Sequence, residues 1–218
     1  MDKMSQMFIP KRQSLGPTSP VSPHERIGAE ERKRAMLEDN PGEFRNESKF
    51  GPIDGIPVFK TWSTRDECAR DGVHAPSTAG IWGGKDGAYS IVMSGGYEDD
   101  HDRGETILYT GTGGFGEEKK FGGGGNSWGR NIQTEDQTFE HRDNKALRIS
   151  FELGKPVRVI RGSNLQTVYA PPDGYRYDGL YKVTKAYMDK SKDGLYEVCR
   201  FELKREPGQP PIRKRVYY

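Results

Sequence analysis

From Phe50 onward the apolar positions come in short runs of strand length, separated by Gly, Pro, Asn and Asp. The runs Tyr89–Met93, Thr106–Thr110, Ala146–Phe151, Val157–Ile160, Gly179–Val183 and Leu195–Leu203 carry β-branched and aromatic residues, and most are bounded by turn formers. That is the pattern of β-strands. Asp66–Arg70 reads as a short helix. No internal repeat and no strand–helix–strand alternation is visible. The pattern therefore predicts a mainly β domain with a few helices (α+β), of barrel or sandwich type.

Before Phe50 the pattern changes. Residues Met1 to Pro23 hold Pro10, Pro17, Pro20 and Pro23 among Ser and Gly, and are expected to form a disordered tail. Such a stretch has too little apolar surface to offset its ordering entropy. His24 to Asp39 alternates Glu25, Glu30, Glu31, Arg32, Lys33 and Arg34 with Ile27, Ala35, Met36 and Leu37. It predicts a short charged helix ended before Pro41 and Gly42, either a solvated face or a segment that recruits chromatin proteins. The expected organisation is a tail over 1–48, a folded domain over 49–206 and a basic C-terminal tail over 207–218.

Composition narrows the function classes. The 218 residues are only 32% hydrophobic, which suits one domain plus a polar tail. The net charge is +2, so bulk charge does not mark a nucleic-acid binder. Its distribution is more informative: Glu98 to Glu105 is acidic, whereas Arg200, Lys204, Arg205, Arg213, Lys214 and Arg215 crowd the C-terminal end. Cys68 and Cys199 lie far apart with no metal-ligand spacing, which argues against a disulfide framework and a zinc site. No apolar run is long enough for a membrane span and no signal-like segment opens the chain, so an intracellular, reducing setting is expected. The stretch Gly111 to Gly129 is dense in glycine, with Lys119, Lys120, Trp128 and Arg130 between. It closes on no Gly-Lys-Ser or Gly-Lys-Thr, and reads either as a flexible loop or as one that orders on a phosphate backbone.

Three stretches together resemble one family. They are Gly72-Val-His-Ala-Pro-Ser-Thr-Ala-Gly-Ile-Trp-Gly83; Asp86 to Asp100 with its Ser94-Gly-Gly-Tyr97 turn, continuing to Leu108-Tyr-Thr-Gly-Thr-Gly-Gly114; and Gly154-Lys-Pro-Val-Arg-Val-Ile-Arg161 followed by Tyr175 to Val183. In this order they resemble the SRA domain (SET- and RING-associated), also called YDG after the motif present here as Tyr177-Asp178-Gly179. Gly51 to Val58 is similar to that family's entry segment. The resemblance implies a twisted, crescent-like β-barrel of the SRA/PUA-like type. Its expected partner is double-stranded DNA carrying 5-methylcytosine, whose modified base is swung into a pocket. It implies no catalysis, no cofactor and no metal, and a nuclear location. The Cys/His clusters of RING and PHD domains are not present in this sequence.

Carried over residue by residue, the resemblance makes Tyr97 and Tyr109 the two aromatics that stack on the flipped base, and Asp100 the carboxylate that accepts from cytosine N4. Carboxylate facing N4 is a pairing that thymine, with an acceptor at that position, cannot make. Thr110 and Gly111 fall where backbone and hydroxyl read the O2 and N3 side. Ser94, Tyr97 and Thr112 fall where the methyl group sits. Burying that methyl contributes about 0.8 kcal/mol, roughly a fourfold preference. Two loops are expected to enter the duplex, one through Thr78 and a finger through Arg130 and Asn131. The finger departs from the family pattern, leaving hemimethylated and fully methylated CpG both open. Lys119, Lys120 and Arg161 are the expected phosphate contacts. Tyr177 and Asp178 are expected to be structural. Alternatives are a reader of 5-hydroxymethylcytosine or non-CpG methylation, or the targeting module of a modification-dependent nuclease.

Overall fold

The computed structural model describes residues 48–97, 99–114 and 133–215, all within the unit Gly42–Tyr218. The expected disordered tail and charged helix lie outside the described residues. Ten elements follow in order: β1 (Thr61–Trp62), α1 (Arg65–Arg70), β2 (Ile81–Gly84), β3 (Gly87–Met93), β4 (His101–Asp102), β5 (Thr106–Thr110), α2 (Arg142–Leu153), β6 (Pro156–Gly162), β7 (Tyr175–Lys190) and β8 (Glu197–Arg205). The strands make one twisted sheet in the order β2-β3-β6-β7-β8-β5-β4, with β1 added beside β7. The fold class is therefore mainly β with two helices. Closure into a barrel is the correction: among the described residues no ladder joins β2 to β4, so the sheet stays an open crescent.

β7 organises the sheet. Its first half pairs with β6 from Tyr175 to Lys182, and its second half with β8 from Tyr181 to Lys190. Irregular register at Arg158/Ile160 and at Val183/Lys185 bends it between its partners. β3 and β6 are parallel neighbours, unlike the other pairs. Both are buried almost throughout, which is why their sequence reads as continuous rather than alternating apolar runs. Ile91 and Met93 enter a core cluster with Val157, Val159, Tyr181 and the α2 residues Ala146 and Leu147. Val92 and Ile160 point the other way, into a second cluster with Ile53, Trp62, Cys68 and Tyr177. The sheet is thus covered on both faces.

The run Ala146–Phe151 belongs to helix α2 rather than to a strand. Its buried positions, Asp143, Asn144, Ala146, Leu147 and Ser150, follow helical spacing once the window is widened. His141 caps its start and Gly154, left-handed at φ 61°, ends it. α1 is capped by Thr64, whose hydroxyl accepts from Glu67 N, while Glu67 accepts from Ser63 N. No helix among the described residues is long and apolar enough to cross a membrane.

Charged groups lie inside this sheet. The Asp178 carboxylate, fully buried, accepts from Arg161 Nη1 at 3.0 Å and from Arg176 Nε at 2.5 Å and Nη2 at 3.0 Å. Arg161 also forks onto Asp102 through Nε (2.8 Å) and Nη2 (2.7 Å). Arg205 Nε donates to the Asp178 carbonyl. The Asp of the Tyr-Asp-Gly motif is therefore the counter-charge that lets two arginines sit in the core. Arg158 is handled differently: it donates to the carbonyls of Lys49, Gly51 and Val73 and stacks over Trp82, with burial lowering its pKa to about 10. It pins the entry segment onto the sheet. The segment after β8 is docked as well, since Gln209 brackets the Leu180 backbone and Arg215 N donates to Val168 O.

Removing a single partner of a buried ion cluster strands the others. Asp178→Asn is expected to cost about 3–5 kcal/mol in urea unfolding, whereas Glu105→Gln, whose carboxylate is 58% exposed beside Arg205, should cost under about 1 kcal/mol. Equal effects would mean that the cluster does not set stability.

Candidate functional site

β3 and β6 run parallel and end side by side, and the turns that follow them form one end of the sheet. Ser94, Gly95, Gly96 and Tyr97 leave β3; β4 and β5 bring the chain back through Asp99, Asp100, Tyr109 and Thr110. The acidic stretch between them is not a free cluster. Asp99 pairs with Arg200, Asp102 with Arg161 and Glu105 with Arg205. Among the described residues Asp100 is the acid of this stretch without an ion pair; its Oδ1 accepts from Thr110 N at 2.8 Å. Burial pushes the Asp100 carboxyl up to about 7, against the pull of the Thr110 bonds and of Arg200.

The structure brings Tyr97, Asp100 and Tyr109 together. The Tyr109 phenol feels both Asp100 and Tyr97, and Tyr97 feels Asp100. Burial raises Tyr97 to about 12 and Tyr109 well above its ordinary value. Tyr109 is 3% exposed and packs in the main core cluster, its hydroxyl 3.5 Å from Val92 O. It is a fixed wall. Tyr97 is half-buried and hydrogen-bonded to the Thr112 side chain, which ties two of the expected methyl-site residues to each other. Ser94 is half-buried at the end of β3, beside Gly162. Two tyrosines and a carboxyl with raised pKa this near one another suit a planar, partly apolar ligand with a hydrogen-bond donor on its edge.

Two sequence-predicted roles are corrected. Arg161, expected on phosphate, is fully buried, with its guanidinium taken up by Asp102, Asp178, Tyr181 Oη and Gly104 O. Gly111, expected to read a base edge through its backbone, donates its N–H to Cys199 O and accepts from Gln137 Nε2. A Cβ there would lie 2.6 Å from Asn144 Oδ1 and 2.8 Å from Cys199 Cβ, so the close approach that requires glycine is to the protein. Thr110 is buried, its N–H held by Asp100 and its hydroxyl accepting from Arg200 Nη1 at 2.6 Å. Both residues are held by partners within the protein, beside Asp100 and Tyr109.

The loop bearing Thr78 flanks the same end and leaves Thr78 exposed. Arg65 Nη2 donates to Pro76 O and Ala79 O. His74, fully buried, sets Nε2 on Ala79 O (3.0 Å) and Nδ1 on the Ser90 hydroxyl (2.8 Å). A ring between a carbonyl and a hydroxyl is satisfied when neutral, and burial lowers its pKa to about 3. Lys119, Lys120, Arg130 and Asn131 lie outside the described residues. At the described residues that flank this stretch, Thr134 N and Glu135 N donate to Gly114 O. Asn144 brackets the Thr112 backbone, and Gln137 bridges Gly111 O and Cys199 N. Sequence reasoning missed Arg200, Asn144 and Gln137. A charge inside the apolar run Val198-Cys-Arg-Phe201 was a readable sign of a buried partner for Arg200; the two amides carried none.

With this geometry in view, the family described as the SAD/SRA domain matches residues 49–209. The "UHRF1-like protein" of Cryptococcus neoformans var. grubii is 44% identical over 198 residues, 88% of this chain and 56% of that protein. The chain thus spans little more than half of that relative. Among solved structures, the modification-dependent TagI restriction endonuclease is 40% identical with a TM-score of 0.65, over 74% of this chain and 53% of that one. The SUVH5 SRA domain, solved in complex with methylated CHH DNA, is 34% identical with a TM-score of 0.60, over 76% of this chain and 99% of that one. It has also been solved on fully hydroxymethylated CG DNA.

The two perturbed groups have opposite linkage. His74 is lowered, so its contribution to stability is present above about 6.5 and is lost as pH falls toward about 3. Asp100 is raised, so its contribution is present below about 3.8 and is lost as pH rises through about 7. Asp100→Asn removes only the second. The variant should match or exceed the parent in urea midpoint at pH 8 and fall more steeply between pH 6.5 and 4. Parallel curves would show that Asp100 titrates in its ordinary range.

Proposed function

The chain belongs to the SAD/SRA domain family, and on that premise we propose that it reads 5-methylcytosine in duplex DNA by flipping the base into the recess of Tyr97, Asp100 and Tyr109. The observation that carries this is the convergence of two tyrosines on one carboxyl that has no arginine of its own among the described residues. Extruding a base costs a few kcal/mol. Stacking returns about 1–3 kcal/mol per base. Because Tyr109 is already locked in the core, little further ordering is needed on that side.

Base identity comes from Asp100. Its ionised form accepts from the amino group of cytosine, while thymine would set an oxygen against it. Ser94, Tyr97 and Thr112 cover the methyl, whose burial is worth roughly fourfold. Thr110 and Gly111 hold the wall, and Thr78, with Arg130 and Asn131 of the glycine-dense stretch, enters the duplex. Lys119 and Lys120 meet phosphate. The domain acts as a non-catalytic reader in the nucleus, with the N-terminal segment available to chromatin proteins. Whether the site is a hemimethylated or a fully methylated CpG is set by the finger. Likeness to SUVH5, solved with a hydroxymethylated duplex, favours tolerance of 5-hydroxymethylcytosine as a second reading. Likeness to the TagI endonuclease supports service as the targeting module of a larger enzyme.

The test is binding to matched duplexes at fixed salt, with a central CpG unmodified, hemimethylated, fully methylated or hydroxymethylated. A several-fold preference for a modified duplex, abolished by Asp100→Ala with weak binding to the unmodified duplex retained, is expected. Equal affinity for all four, untouched by the substitution, would mean that the recess reads no base.

A further inference from the structure

We infer that Arg200 is a positioning residue that acts on Asp100 through the hydroxyl of Thr110. This rests on the base-reading role of Asp100. Arg200 sits on β8 directly across from Thr110 on β5 and is 5% exposed. Its Nη1 donates to Thr110 Oγ1 at 2.6 Å and to the Asp99 carbonyl at 2.9 Å, and its Nη2 lies 3.3 Å from Asp99 Oδ1. The guanidinium thus grips the residue before Asp100 and the residue that holds Asp100, while making no ion pair with Asp100 itself.

The hydroxyl between them has a definite direction. An Oγ that accepts from a guanidinium must turn its own proton elsewhere. The Asp100 carboxyl accepts from the Thr110 backbone N–H at 2.8 Å, and the Thr110 side chain beside it also holds its pKa down. The chain is therefore Arg200 N–H to Thr110 O–H to Asp100, with each bond polarising the next. The planar fork of Arg200 fixes the Asp99 peptide at the same time, so the start of the Asp100 residue and the end of its side chain are both tethered. A buried ion pair is a weak source of net stability. As a device for aiming a third group it is effective, because its donors lie in one rigid plane.

The charged and titratable groups around Asp100 are Arg200 from β8, Asp99 and Tyr97 from its own turn, and Tyr109 from β5. Arg200 favours the ionised carboxyl and Asp99 opposes it. Loss of Arg200, or of the hydroxyl that relays it, therefore raises the pH at which Asp100 becomes an acceptor.

The experiment measures affinity for hemimethylated and unmodified duplexes from pH 6 to 8.5 for the full chain and for Arg200→Met, Thr110→Val, Thr110→Ser, Asp100→Ala and Arg200→Met/Asp100→Ala. Thermal melting reports the fold of each. Arg200→Met and Thr110→Val should each lose about ten- to a hundredfold on the hemimethylated duplex, with the pH midpoint of binding moved upward. Thr110→Ser, which restores the hydroxyl, should recover most of what Thr110→Val loses. In the Asp100→Ala background Arg200→Met should add nothing. An equal loss in both backgrounds, or an equal loss on the unmodified duplex, would overturn the inference. If Arg200→Met does not fold, the Thr110 pair decides, since valine keeps the shape and removes only the hydroxyl. A parent chain that ignores methylation would instead sink the base-reading role and leave the linkage of Arg200 to the Asp100 midpoint to be read from the stability curves.

Discussion

The structure depends on one carboxylate placed among arginines. Asp178 lies in the stretch where β7 has β6 on one side and takes up β8 on the other, and it holds Arg161 from β6 and Arg176 from β7 while its carbonyl holds Arg205 from β8. Three central strands are thereby tied at one point. Arg161 extends the tie to Asp102 and Gly104, at the turn from which β5 and the recess wall begin. Charges this deep are tolerable only when each is paired. The consequence is geometric: the far edge of the sheet, which carries Tyr109 and Thr110, is located relative to its centre by fixed polar contacts as well as by apolar packing.

The same economy governs the acidic stretch. From sequence, Glu98 to Glu105 is simply an acidic run. In the fold, three of its carboxylates are matched to arginines from β6 and β8, and Asp100 is set apart from them. Among the described residues the charge run thus resolves into a paired scaffold and one carboxyl without an ion pair. The basic C-terminal end is the other half of that pattern, with Arg200 and Arg205 turned inward to meet it.

Much of this was legible in the chain. Turn residues bounded β3, β5 and β6 closely enough to place them, and the ordered motifs pointed to Tyr97, Asp100 and Tyr109 as one group. What stayed hidden has physical causes. Ala146–Phe151 is too short a window to tell a buried helix from a strand; only Asp143 and Asn144, polar yet buried, complete the helical spacing. Arg161 looked like a surface cation because pairing across strands is invisible in one dimension. Gly111 was expected to face a base edge, but what approaches it comes from α2, β8 and the segment before α2, all distant in sequence. A barrel was one of two forms the strand pattern allowed and the one the resemblance implied; the missing ladder between β2 and β4 among the described residues is a long-range feature that neither could show.

The parallel pairing of β3 with β6 requires a long crossover between Met93 and Pro156, which passes through β4 and β5 at the far side of the sheet and through α2, and Asp100, Tyr109 and the glycine-dense stretch all fall on it. Within it, the bonds from Thr134 and Glu135 to Gly114 close a smaller loop at its neck. Loop closure costs grow only logarithmically, about 0.6 kcal/mol per doubling of length. The number of residues beyond that neck is therefore nearly decoupled from folding. A change of length between Gly114 and Thr134 thus falls behind one closed neck and leaves every ladder of the sheet in register.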